Sequence, residues 1–338
     1  MAAYLVRRLL LLIPVLIGIS ILIFTLTRVG GDPATAYINE RMSDQQIHEV
    51  YARYHFDDPP WTQYYYWLNG ILNGDLGFST VDNRPVAESL ALYFPATFEL
   101  ATVSMFLGAI IGISAGTLSA TKKDRPVDYA TRFTALVGVS LPIFIMGLLL
   151  LSIFSLGLGL FPLGNEYSDR YVIDNLLLNR PTGFYLVDTV LNGRMDMFMD
   201  GVWHLILPAV TLSFGIVAVI TRMMRSSMLE VMDLEYVNTA RAKGLSERAV
   251  IRRHVRRNSL LPTTTFMGLA FGSLLGGAVL TEAIFSWPGL GRWATRAIIN
   301  LDTAAIMGFV LMAAFVYVIA NLAIDVIYAF IDPRVDLG

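Results

Sequence analysis

The chain has 338 residues, of which 55% are hydrophobic and 15% charged, with a formal net charge of −2 and a mean hydropathy of +0.58. Soluble domains run near a quarter charged, so this composition points to lipid, and the small net charge argues against nucleic acid as a partner. Without cysteine there are no disulfides, thiolate metal sites or cysteine nucleophiles, and His48, His55, His204 and His254 show no metal-ligand spacing.

The apolar residues fall in blocks of about twenty, long enough to cross a hydrocarbon layer of roughly 30 Å as helix. Six spans are predicted, over 9–27, 97–119, 133–156, 203–221, 263–284 and 304–328. The first follows Arg7 and Arg8, and Ala34-Thr35-Ala36 mimics a cleavage site. A signal-peptide core has about 7–15 apolar residues, so this longer run reads as a retained span. Sixteen of the 25 Lys and Arg fall on one side of the spans, including Arg7, Arg8, Lys122, Lys123, Arg125, Arg132, Arg334 and nine from Arg222 to Arg257. Such an excess marks the cytoplasmic side, which receives both termini.

Between the first two spans, Ser43 with Gln46 forms a capping box, followed by Ile47, Val50, Tyr51 and Tyr54 on one helical face. A second helix is predicted after Pro59-Pro60, carrying Trp61, Tyr64, Tyr65, Tyr66 and Trp67. These aromatics suit either interfacial anchors or a small cap that meets a soluble partner. The chain thus divides into a tail and first span over 1–28, an external segment over 29–96, and a core of five spans over 97–338. The second external segment, 162–202, reads as short packed pieces, with Gly183-Phe184-Tyr185-Leu186-Val187 and 195–199 among them.

The longest cytoplasmic loop lies within 222–262. It is predicted as two short helices around Gly244, which occupies the position of a left-handed C′ residue. The informative stretch begins at Glu235, and the first helix, about Leu234 to Lys243, carries Ala240 and Ala242, whose small side chains leave room for another backbone. Ser246 is expected to cap the second and Glu247 to favour its positive end. Val250, Ile251, His254 and Val255 form an apolar stripe between arginines, and Pro262 marks a turn back into the membrane. Such a helix pair suits either a lever driven by a soluble motor or a basic loop on anionic headgroups.

Asn238-Thr239-Ala240, three residues and then Gly244 resembles the Glu-Ala-Ala…Gly coupling motif of ATP-binding-cassette importer permeases. The wording 236–245 and Arg257-Asn258-Ser259-Leu260-Leu261-Pro262 resembles the dipeptide, oligopeptide and nickel permease subfamily. So do Gly31-Asp32-Pro33, Gly74-Asp75-Leu76-Gly77, Pro95-Ala96-Thr97 at the start of span two and His204-Leu205-Ile206-Leu207-Pro208 at the start of span four. The string 284–291, Ile-Phe-Ser-Trp-Pro-Gly-Leu-Gly, and Asp332-Pro333-Arg334 complete the series. Asn238 and Thr239 depart from the general motif in the manner of this subfamily.

The resemblance implies an all-α integral membrane fold of the type I importer class, in the cytoplasmic membrane. It implies a coupling loop in which Glu235, Asn238, Thr239, Ala240, Ala242, Gly244, Leu245, Ser246 and Pro262 meet the ATPase. The implied partners are a second, homologous permease, two cytosolic ATPases and an external substrate-binding protein, besides membrane lipid. The cargo implied is a peptide, with oligosaccharides or nickel as alternatives. No Gly-x4-Gly-Lys-Ser/Thr loop occurs, so ATP and Mg are expected on the partner ATPases and no cofactor on this chain. No His-Glu-x-x-His motif occurs, and no inverted repeat favours an ion-coupled carrier. Ionisable or polar groups in spans are costly and functional by default, which marks Glu99, Glu282, Asn321 and Asp325 as possible pore or gate residues. Pro142, Gly276 and Gly277 are expected to serve bending and packing.

Overall fold

The computed structural model describes residues 2–29, 34, 38, 42–276 and 278–331, with side chains for all of these except 2–12 and 324–331. Gly31-Asp32-Pro33, Thr35, Ala36, Gly277, Asp332-Pro333-Arg334 and the side chains of Arg7, Arg8 and Asp325 lie outside the described residues.

Helix α1 spans Ala2–Val29, α2 Asp44–Tyr54 and α3 Pro60–Leu72. The Ser43–Gln46 capping box forms at the start of α2. Aromatic residues of α3 divide between two tasks. Tyr64 and Trp67 pack on Phe24 of α1, with ring centroids 5.2 and 5.5 Å away, whereas Trp61 and Tyr65 stay exposed. The side on which α2 and α3 lie is here termed the cap side.

A two-stranded antiparallel ribbon, β1 (Phe78–Ser79) and β2 (Arg84–Pro85), leads into α4 (Val86–Thr121). Helices α5 (Pro126–Ser140) and α6 (Ile143–Leu150) follow, and α6 continues as a π-helix over Leu151–Gly157. The short α7 (Val172–Leu177) and α8 (Tyr185–Leu191) precede α9 (Met195–Met232). On the opposite, loop side lie α10 (Glu235–Ala242) and α11 (Glu247–Ala249), from which α12 (Arg256–Leu275) returns. The chain ends with α13 (Val279–Ile284), α14 (Leu290–Ile299) and α15 (Thr303–Ile331).

Among the described residues, Val86–Thr121, Met195–Met232 and Thr303–Ala323 are long and apolar enough to cross a membrane, and the pair 126–157 joins them if it is counted as one broken span. The expected third span, 133–156, is not one straight helix. It bends by 105° at Leu141–Pro142, because the residue before a proline is pushed out of helical geometry; Leu141 has φ −82° and ψ 125°. Two span starts also differ from expectation. Pro95 and Pro208 lie inside α4 and α9, because hydropathy marks the apolar stretch whereas helix continues through helix-compatible polar flanks. At 36 residues, α4 is about 54 Å long, well beyond the roughly 30 Å hydrocarbon layer. Similarly, 195–199 forms the first turn of α9 rather than a separate piece. The predicted fifth span, 263–284, breaks after Leu275 at Gly276, and α13 is a distinct helix.

The centre of the fold is the packing of α4 on α9. Gly108, Gly112 and Gly116 recur every four residues on α4, opposite Ile216, Ile220 and Met224 of α9. A Cβ built on these glycines would meet Ile216 Cγ2 at 2.5 Å, Ile220 Cβ at 2.7 Å and Met224 Cβ at 2.7 Å. Small residues at this spacing let two backbones approach, which is how helices associate where lipid removes the hydrophobic drive. On the other flank of α9, Gly138 of α5 lies as close to Ala218.

Asp128 locks the loop-side ends of the same helices. It receives Arg225 Nε and Nη2 at 2.7 and 2.8 Å, the Ser119 hydroxyl at 2.5 Å and the Asp124 backbone N–H at 3.0 Å. A bidentate pair with two further donors leaves this fully buried carboxylate satisfied.

Replacing Gly112 with Leu should destabilise the protein by about 1–3 kcal/mol through overpacking. A lowered melting temperature in detergent, partly restored by Ile220→Ala, is the expected result; an unchanged melting temperature would show that the ridge is not tightly seated.

Candidate functional site

The loop side carries the residues singled out in the sequence as a coupling loop. Helix α10 ends where Gly244 adopts φ +78°. The Gly244 N–H donates to Arg241 O at 2.9 Å and the Leu245 N–H to Ala240 O at 3.4 Å, which is the Schellman pattern of a left-handed helix end. A Cβ on Gly244 would touch nothing within 4 Å, so backbone conformation, not packing within this chain, requires glycine.

Burial separates the loop into an anchor and a free face. Val237, Ala240, Val250 and Val255 are buried with Met224 and Met228 of α9 and Ala120 of α4. Glu235, Asn238, Thr239, Ala242, Gly244, Leu245 and Ser246 are exposed. The two alanines expected to admit a foreign backbone therefore differ: Ala240 packs into this chain's own core, and Ala242 faces outward.

Arg241 fixes the bend. Its Nε and Nη2 donate to the two oxygens of Glu247 at 3.2 and 3.1 Å, and Nη1 donates to Asn238 Oδ1 at 3.2 Å. The Glu247 carboxylate holds the Arg241 guanidinium above its usual pKa. Across the loop, Asn258 Nδ2 donates to the Tyr236 hydroxyl at 2.7 Å, and that hydroxyl lies 3.3 Å from His254 O.

Two details depart from the sequence reading. Ser246 occupies the N-cap position, but its side chain makes no capping bond; its carbonyl accepts from Ala249 N–H and Val250 N–H at 2.8 and 3.0 Å. Pro262 marks no turn. Helix α11 runs through a π-helical stretch, Val250–Val255, directly into α12, and Pro262 lies inside that helix on an exposed face. Buried Val250, Val255, Ser259 and Thr263 form one line along it. The five-residue step at the π turn keeps that line against α9, so the helix continues although the proline removes one backbone donor.

On the cap side, Glu282 of α13 is fully buried. Thr97 Oγ1 of α4 donates to its Oε1 at 2.8 Å, and the Arg292 N–H donates to Oε2 at 3.0 Å. Thr97 Oγ1 also accepts from the Leu290 N–H at 2.8 Å, and Trp287 Nε1 donates to Ala96 O at 2.9 Å. A Cβ on Gly289 would come within 2.5 Å of both Glu282 and Thr97. The string 284–291 is thus a tight turn wrapped around one carboxylate, which fastens α13 and α14 to α4.

Glu99, two residues beyond Thr97, differs. Its Oε1 accepts from the Leu186 N–H of α8 at 3.0 Å, while Oε2, also buried, has no hydrogen-bond partner among the described residues. In the neighbouring cap-side segment, burial pushes the Glu166 carboxyl up to about 7 against the opposing pull of Arg180, 3.9 Å away. Asn321 is half-buried on α15.

Three residues that the sequence reading passed over organise these sites. Asp128 ties three segments, as above. Asp302 receives the Ser79 hydroxyl and the Thr80 and Val81 N–H groups at 2.8, 2.7 and 3.1 Å, docking the ribbon onto the start of α15. Arg241 holds the loop. No local sequence pattern marks Asp128 or Asp302, and what identifies them is a partner distant in sequence, Arg225 and Ser79; Arg241 acts through Glu247, six residues away.

The family model described as "Binding-protein-dependent transport system inner membrane component" matches residues 108–337, and the model for the corresponding N-terminal part matches residues 1–101. The dipeptide transport system permease protein DppB of Alkalihalophilus pseudofirmus is 42% identical over 336 residues, covering 99% of both chains. The protein of the same name from Escherichia coli is 41% identical over 337 residues, again covering 99% of each. The oligopeptide transport system permease protein AppB of Bacillus subtilis is 38% identical over 338 residues, covering 99% of this chain and all of the relative.

Removing the Glu282 side chain with Ala should cost about 1–3 kcal/mol, because the Thr97 hydroxyl and the Arg292 N–H lose a buried acceptor. Faster proteolysis within 279–300 and a lower melting temperature would follow; neither changing would mean that other contacts hold the turn.

Proposed function

The chain belongs to the binding-protein-dependent transport system inner membrane component family, and on that premise we propose that it is the permease subunit of an ATP-driven peptide importer. The observation that carries this reading is full-length identity of 38–42% to permeases named for dipeptide and oligopeptide transport. The loop geometry agrees with it in kind.

In this reading the chain crosses the cytoplasmic membrane six times, through α1, α4, the bent pair α5–α6, α9, α12 and α15. Both termini and the loop over 222–262 face the cytoplasm, as the distribution of Lys and Arg supports. A second, homologous permease completes the channel, two cytosolic ATPases carry ATP and Mg, and an external binding protein delivers the cargo. The exposed face from Glu235 to Ser246 meets one ATPase, and the chain itself performs no catalysis.

The division of the loop supports a lever. The buried residues Val237, Ala240, Val250 and Val255 join it to α4 and α9. The continuous helix from Glu247 through Leu275 gives a rigid route into the membrane. A push on the free face is therefore transmitted as movement of helices rather than absorbed in a flexible loop. ATP and the loaded binding protein drive the cycle only if both bind the outward-open form more tightly, since a ligand shifts an equilibrium only by its differential affinity. Among the residues expected at the pore, Glu99 is our candidate, because its buried Oε2 has no hydrogen-bond partner among the described residues. Glu282 serves instead as an anchor of α13 and α14.

Gly244→Val should abolish peptide uptake without removing the protein from the membrane, since a β-branched residue is strained at φ +78° and crowds the free face. Radiolabelled dipeptide uptake and co-purification of an ATPase check this; normal uptake and retained ATPase would end the coupling role. The chain reconstituted alone in vesicles should accumulate no peptide. Charged replacements at Trp61 and Tyr65, exposed at 75% and 64%, should weaken binding-protein association if the cap docks it. Loss of membrane insertion with docking intact would instead identify these residues as anchors.

A further inference from the structure

Between α5 and α9, on the loop side, lies a cavity of about 530 Å³ whose walls include Arg132, Arg222 and Arg225. Asp128 neutralises Arg225. Arg132 lies over the Tyr129 ring, 6.0 Å from its centre. Among the described residues, neither Arg132 nor Arg222 has an ion-pair partner. Two positive charges therefore face this cavity without an ion-pair partner among the described residues.

A second cavity, of about 360 Å³, lies farther from the loop side along α5 and α9, where α6 and α12 complete its walls. Val139, Met146, Leu212, Val219 and Phe266 are among its walls, and no charged residue lines it. From Arg222 to Leu212 is ten residues of helix, about 15 Å at 1.5 Å per residue. That length is half of the roughly 30 Å hydrocarbon thickness, the depth of one leaflet. On α5, exposed Tyr129, Phe133 and Leu136 lie along the same groove at helical spacing. With α9 crossing the membrane as proposed above, this length places the basic end, with aromatic rings beside it, at the headgroups and the apolar part toward mid-membrane.

We propose that this groove seats one anionic phospholipid of the loop-side leaflet, with its phosphate between Arg132 and Arg222 and an acyl chain along α5 and α9. Charge complementarity selects the headgroup. A zwitterionic lipid brings its own cation to two unneutralised guanidinium groups, whereas a net negative headgroup supplies the missing charge. A free anion fills only the basic cavity and leaves the apolar one empty. The lipid would also brace α5 against α9, the pair that Asp128 and Arg225 already clamp.

The test is native mass spectrometry of the full chain, purified with the subunits that accompany it, after titration with phosphatidylglycerol, phosphatidylcholine or inorganic phosphate. We expect one retained phosphatidylglycerol per chain, favoured over phosphatidylcholine by roughly fivefold for each arginine, about 25-fold in all. The pair Arg132→Gln and Arg222→Gln should remove that preference, and the pair Arg132→Lys and Arg222→Lys should largely keep it. Val139→Trp, which fills the apolar part, should reduce retention of both lipids while leaving the arginines in place. Equal retention of the two lipids, unchanged preference in the Gln variant, or displacement of lipid by millimolar phosphate would overturn the proposal. So would retention of no lipid because a partner subunit covers the groove. A last outcome is a Gln variant that loses uptake only of peptides with a free C-terminal carboxylate while keeping its lipid. That result would assign the arginines to the cargo and overturn the lipid site.

Discussion

Close approach of α4 and α9 is the constraint on which the rest of the structure depends. In lipid, burying a leucine against another helix gains little over leaving it among acyl chains, so helices are held by packing and by polar contacts. Gly108, Gly112 and Gly116 remove side chains from one ridge of α4, and Ile216, Ile220 and Met224 fill the space. The residues that the loop needs as a floor, Ala120, Met224 and Met228, continue that same seam toward the loop side. Widening the seam would therefore lift the floor of the loop as well as separate two helices.

Polar groups fasten this scaffold at both ends. On the loop side Asp128 gathers Arg225, Ser119 and the backbone of Asp124. On the cap side Glu282 gathers Thr97 and the backbone of Arg292. A carboxylate in such surroundings is tolerable only when its lone pairs are occupied, and both are. Each anchor joins segments that no local sequence pattern connects, since Thr97 and Glu282 are 185 residues apart. Glu99, two residues beyond Thr97 on α4, differs from both anchors in that its buried Oε2 has no hydrogen-bond partner among the described residues.

The loop combines a rigid interior with a free exterior. Gly244 supplies a bend that any other residue would strain, Arg241 and Glu247 brace it, and the π turn lets one helix pass from the loop into the membrane without changing its buried face. A transmitting element needs both properties: a surface left open for a partner, and a base with no slack. The same economy appears on α3, where Tyr64 and Trp67 anchor the cap while Trp61 and Tyr65 remain available.

Much of this was legible in the sequence. Blocks of apolar residues, the Ser43–Gln46 capping box, the helix ending at Gly244 and the ordered family strings are local patterns, and local patterns follow from backbone sterics and hydropathy. The sequence thus determined that the chain is a membrane-embedded helical protein and which loop to examine. Only the tertiary structure decided the course of the broken helices and the identity of the anchors. Pro142 bends a span whereas Pro95, Pro208 and Pro262 sit within helices. Asp128, Glu282 and Asp302 look alike as letters, and their roles arise from donors brought from distant segments. A carboxylate's function depends on who occupies its oxygens, and that is a property of the fold.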